Sequence, residues 1–103
     1  MDENKIQLLI VICSRKKRQK IINSLCEYKA TLFNVVYGHG SAKKENILKA
    51  FGLSFEHEKA VIFSFINKNR SKEALNMLKD VYSFGKPNTG IAFTIPVDVR
   101  PSK

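Results

Sequence analysis

The sequence predicts an α+β fold: a four-stranded antiparallel sheet with two helices on one face. Three observations predict it. Two segments, Ile6 to Cys13 (IQLLIVIC) and Lys59 to Ile66 (KAVIFSFI), are almost unbroken apolar runs, the pattern of strands buried on both faces. Each is followed by a polar turn and an amphipathic helical pattern. Each half then supplies a further strand, Thr31 to Tyr37 (TLFNVVY) and Gly90 to Val97 (GIAFTIPV). Strand, helix, strand, strand, helix, strand is the order of a split βαβ, or ferredoxin-like, βαββαβ domain. In that topology the opening strand of each half is central. Right-handed crossovers put both helices on the same side.

The elements follow in order. Ser14 can cap a helix from about Arg15 to Tyr28, with Ile21, Ile22, Leu25 and Tyr28 on one face. Arg15, Lys16, Lys17, Arg18 and Lys20 crowd its first turns, where positive charge opposes the helix dipole and an anion would relieve it. After the second strand, Ala42 to Phe51 reads as an extra short helix. Ser41 is its N-cap, Gly52 its stop, and Ile47, Leu48 and Phe51 its apolar side. Asn67 to Arg70 reads as a polar turn. Ser71 to Tyr82 reads as the second long helix, with Ala74, Leu75, Leu78, Val81 and Tyr82 inward. Pro96 marks the last strand as an edge or strand end. Phe33, Val35, Phe63 and Phe65 offer an apolar sheet surface, although alternation alone does not assign each to a face, and a bare apolar face seeks a partner.

Composition bounds the rest. One hundred and three residues, 44% of them hydrophobic, make a single domain over 1–103 with a real but modest core. No apolar run approaches the ~20 residues that span a bilayer. Asp2 and Glu3 give the chain an acidic start, unlike a signal peptide, so a cytoplasmic protein without membrane insertion is expected. Cys13 and Cys26 are too few for a zinc site and are expected as reduced, buried or half-buried thiols. The formal charge of +9 attracts anions, although scattered lysine is also an ordinary solvated surface.

Two turns are candidates for ligand binding. Gly38, His39, Gly40 and Ser41 lie between a strand and a helical pattern. Glycine there lets backbone approach a ligand, and the competing reading is a tight turn with a cap. Lys86-Pro87-Asn88-Thr89-Gly90 precedes the last strand. Lys86 brings charge, Asn88 and Thr89 bring donors, and Gly90 removes bulk; a plain helix-to-strand turn competes. The two turns come from different parts of the chain and can meet across a subunit interface. His39 has no nucleophile or carboxylate at useful spacing, and for His57 between two glutamates a weak metal site competes with the favoured reading of a solvated polar stretch. No catalytic residues and no metal ligands are assigned. The RKKRQK block has charge but no aromatic residue, which disfavours nucleic acid as a partner.

Lys86 to Val97 (KPNTGIAFTIPV) resembles the closing loop and strand of P-II family nitrogen-regulatory proteins. Val36-Tyr37-Gly38-His39-Gly40 resembles the strand end and glycine turn that open their T-loop. The resemblance runs from the first strand to Val97. It implies a non-enzymatic homotrimer that senses a small anionic effector, an adenine nucleotide above all, in clefts between subunits and acts on a protein target. Gly38 to Ser41 would form the loop-base side of the cleft, and Lys86 to Gly90 the phosphate side. The connection after Gly40 contains no tyrosine, so tyrosine-directed uridylylation has no acceptor there. Ile91 stands where well-studied members place a basic residue. The alternatives are a basic oligomeric adaptor for nucleic acid or an acidic protein, and a CutA-type trimer.

Overall fold

A computed structural model describes residues 5–38, 59–86 and 89–98. Within them the chain forms β1 (Ile6–Ser14), a 3-10 turn (Arg15–Lys17), α1 (Arg18–Cys26), β2 (Thr31–Gly38), β3 (Lys59–Asn67), α2 (Lys68–Tyr82) and β4 (Gly90–Pro96). The expected extra helix, Ala42 to Phe51, lies outside the described residues.

The four strands form one sheet in the order β2-β3-β1-β4, every pair antiparallel. The two most apolar strands are therefore central, as their composition demands. Pro96 ends an edge strand, where its missing N–H costs no ladder bond. Register decides which residues share a face. Val11 lies opposite Ile62 on one side and Ala92 on the other; Cys13 lies opposite Ala60 and Gly90. These positions, with Leu9 and Ile66, form the core with Ile21 and Leu25 of α1 and Ala74 and Leu78 of α2. Both helices thus cover one face.

The opposite face carries the other half of each alternation. Ile10 sits between Phe63 and Phe93. Ile12 sits between Val61 and Ile91, with Val36 beyond. Leu8 sits between Phe65 and Ile95. Only Ile12, in the middle of this face, is shielded, at 2% exposure; Val36 and Ile95 remain 39% and 44% exposed. No helix of the described residues covers this surface. Phe33 and Val35, whose faces the alternation of the sequence leaves open, are on the helix side, away from Phe63 and Phe65. The cause is the pairing of Val35 with Ile62 and Asn34 with Phe63. A bulge near the start of β2 sets two residues, Leu32 and Phe33, against the single Ser64. Leu32 takes the strained left-handed conformation at φ 58°.

Other differences have simple causes. The second helix starts at Lys68, not Ser71, because the Asn67 Oδ1 accepts from the Asn69 N–H at 2.9 Å and caps it there. The first helix opens with a 3-10 turn, capped by the Ser14 hydroxyl accepting from the Lys16 N–H. Val81, expected inward, is 65% exposed, since the core side of α2 runs through Ala74 and Leu78. Cys26 is exposed, one residue and ~100° past the buried Leu25, while Cys13 is buried as expected. The helices are tied together at Tyr82. Its phenol donates to the Lys20 carbonyl at 3.1 Å, so its oxygen accepts from the Ser24 hydroxyl at 2.8 Å.

Candidate functional site

The register sets the position of both glycine turns. Gly38 ends β2 opposite Lys59, the first residue of β3; Lys59 lies opposite Ser14, the last residue of β1; and Cys13 lies opposite Gly90, the first residue of β4. Both turns therefore open at the same end of the sheet, but on its two outer edges. Three strand spacings separate them, roughly 14 Å. A single chain does not bring Gly38 and Gly90 onto one ligand. His39, Gly40, Ser41 and Asn88 lie outside the described residues.

The turn after α2 is built from its own hydrogen bonds. Ser83 ends the helix in the left-handed conformation at φ 60°, and its N–H bonds the Leu78 carbonyl. Gly85 follows at φ 101°, a conformation that glycine adopts without strain. The Lys86 N–H returns to the Ser83 carbonyl at 3.2 Å. The Thr89 hydroxyl lies 2.8 Å from both the Ser83 and the Lys86 carbonyls, so its one hydrogen serves the turn. Thr89, a candidate ligand donor by sequence, uses this hydroxyl to hold the loop in shape. Lys86 itself is exposed.

Gly90 is buried, and its missing side chain has a packing reason. A Cβ there would lie 2.7 Å from the Phe84 ring and 2.9 Å from the Ile12 carbonyl oxygen. The ring of buried Phe84 uses the space. Gly90→Ala is accordingly expected to destabilise the fold by ~1–3 kcal/mol, because the Ile12 backbone in the central strand cannot yield. Urea unfolding checks this. A variant as stable as the wild type would mean that Phe84 is not held against the turn. Beside Phe84 lies a groove of about 260 Å³ between α2 and β4, lined by Leu75, Leu78, Ile91 and Ala92 with Lys79 at its rim. It has too few polar groups to orient a ligand by itself.

Basic residues gather at the same end of the sheet, a concentration the linear count of lysines does not reveal. Lys59 is only 3% exposed, at the joint between Gly38 and Ser14. Arg15 lies over the Tyr37 ring, 4.2 Å from its centroid, with Arg18 against the same ring. The Cys13 thiol reports the balance of effects here. Burial pushes its pKa up to about 11, against the opposing pull of Lys59, Lys17 and Arg18. A thiol in that state is a poor nucleophile. Among the described residues no three His, Cys, Asp or Glu side chains gather to hold a metal ion. None of the described helices is long and apolar enough to cross a membrane.

No protein-family model matches the chain, and comparison with curated proteins gave no match. Solved structures do match. The class they define is a ferredoxin-type α+β domain of PII-like form, and the chain has that fold. CPII from Thiomonas intermedia, bound to ADP, AMP and acetate, superposes with a TM-score of 0.70 at 10% identity, over 94% of this chain and 90% of that one. A PII-like signalling candidate from Thermus thermophilus gives 0.66 at 12% identity, over 94% and 90%. A DUF3240 family protein from Shewanella baltica gives 0.63 at 16% identity, over 95% and 96%. CPII has also been seen with ADP, AMP and bicarbonate.

Proposed function

We propose that this chain is a non-enzymatic PII-like regulator of the cytoplasm. It forms a homotrimer, senses a small anionic effector of adenine-nucleotide type between its subunits, and acts on a protein target. The observation that carries this reading is the placement of Gly38 and Gly90 at one end of the sheet but on opposite edges. Such an arrangement becomes a site when the β2 edge of one subunit approaches the β4 edge of the next. The uncovered apolar face supplies the reason for subunits to associate. The likeness of fold to CPII, which binds ADP and AMP, agrees with the class of effector.

In this reading Gly38 to Ser41 of one subunit and Lys86 to Gly90 of its neighbour frame the cleft, and the exposed Lys86 ammonium meets the phosphate. Calorimetry with AMP, ADP and ATP tests it. Binding to the wild type is expected, and Lys86→Ala should weaken it by ~1–3 kcal/mol, the worth of a charge-assisted hydrogen bond. Absence of binding by all three nucleotides at millimolar concentration would move the basic-adaptor alternative ahead.

A further inference from the structure

β2 carries one residue more than its pairing with β3 needs. Thr31 lies opposite Phe65 but Asn34 lies opposite Phe63, so Leu32 and Phe33 share the single position facing Ser64. Leu32 absorbs the extra residue in the left-handed conformation, φ 58°, which a residue with a Cβ adopts only at a cost. Its side chain is left 75% exposed. The buried Ser64 hydroxyl donates to the Thr31 carbonyl at 2.7 Å and pins the strand just ahead of the bulge.

A straight register is open to the same strand. With Leu32 extended, the pairing of Thr31 with Phe65 continues without a break: Leu32 meets Ser64, Phe33 meets Phe63, Val35 meets Val61 and Tyr37 meets Lys59. A one-residue slip exchanges faces. Leu32, Asn34 and Val36 then turn toward the helices, and Phe33, Val35 and Tyr37 toward the uncovered side. Register is firmly specified where one phase of a strand is apolar and the other polar. In β2 both phases are apolar apart from Asn34. As an edge strand, β2 breaks one ladder in shifting and not two. Relief of Leu32 favours the straight register. Burial of the Asn34 amide opposes it, as does loss of the Tyr37 contacts with Arg18 and the core.

We infer that β2 exchanges between these two registers, with the bulged one dominant, and that the bulge at Leu32 thereby sets the place of the first glycine turn. In the bulged register Gly38 lies opposite Lys59. In the straight one Tyr37 takes that place and Gly38 moves on by one step of the strand, roughly 3.3 Å. A ligand that needs Gly38 at the cleft selects the bulged register. That link rests on the regulator reading above; the two registers do not.

The test is ¹⁵N relaxation dispersion and saturation transfer on the full chain, which read minor states that exchange in microseconds to milliseconds and slower. One common exchange process is expected from Leu32 to Gly38 and in the facing residues of β3. Asn34→Val removes the polar group that the straight register buries, and should raise the minor population about tenfold. Leu32→Gly accepts the left-handed conformation without strain, and should lower it about fivefold or more. Deletion of Leu32 keeps Asn34 to Gly38 in their present register with no residue to spare. It should abolish the exchange while the far-ultraviolet circular dichroism is retained. Exchange that Asn34→Val or Leu32→Gly leaves unchanged is fraying of the edge and overturns the inference. Exchange absent from both the wild type and Asn34→Val overturns it too. AMP is expected to suppress the exchange as it binds. AMP that binds without doing so overturns the link between register and cleft. Exchange that follows the expected pattern in a protein that binds no AMP removes the regulator reading and leaves the two registers standing.

Discussion

Phe63→Glu is expected to convert the assembly from three chains to one while leaving the domain folded. Phe63 lies on the central strand β3, on the face away from the helices, between Ile10 and Asn34. It is only partly buried in the single chain, so a glutamate there can reach water in a monomer. In an assembly packed through this face the same carboxylate would be buried among Ile10, Ile12 and Phe93 without a partner. Loss of an apolar contact costs ~1.5–3 kcal/mol per side chain, and burial of an unpaired charge costs more. The penalty recurs in each subunit. Light scattering on the eluting peak should report three chains for the wild type and one for the variant, with unchanged far-ultraviolet circular dichroism. A Phe63→Glu protein that stays trimeric would place the interface elsewhere. A wild type that elutes as a monomer would remove every site shared between subunits.

The second large effect is on stability. Leu78 is fully buried on α2, in the cluster with Leu9, Val11 and Ile62. Its carbonyl accepts from the Ser83 and Phe84 N–H groups that end the helix. Leu78→Ala should destabilise the domain by ~2–5 kcal/mol, the sum of lost transfer energy and an incompletely collapsed cavity. The backbone cap survives the change, so the cost is one of packing. Val81, one turn further along the same helix but 65% exposed, is the control. Val81→Ala should change stability by no more than ~0.5 kcal/mol. Denaturant unfolding of the two variants checks the contrast; equal effects would mean that the core of α2 is misassigned.

Much of this protein was legible in its sequence because the relevant physics is local. The apolar runs in β1 and β3 identify the central strands, since only a strand covered on both faces is apolar throughout. The spacing of Ile21 and Leu25, and of Ala74 and Leu78, identifies the buried side of each helix. The order of elements then leaves few ways to build the sheet. Asn67 as a cap was also open to reading, but its side chain looks the same in a turn as at a helix start.

Register and long-range contact were not legible. Whether Phe33 and Val35 share a face with Phe63 and Phe65 depends on which residue of β2 meets which of β3, and alternation within either strand carries no information about that. The face each residue occupies follows from the pairing of Asn34 with Phe63, beside a bulge at Leu32 that no glycine announces. That the Thr89 hydroxyl also clasps its own loop shows only when the Ser83 and Lys86 carbonyls turn toward it. That Gly90 also makes room for the Phe84 ring shows only in the packing. Tyr37 and Arg18 are nineteen positions apart and meet only because α1 packs back across the sheet. Sequence alone determined the order of the described strands and helices and their layering, which arise from propensity and periodicity. Tertiary structure decided which side chains face one another across strands and turns, because those pairings depend on where the chain returns in space.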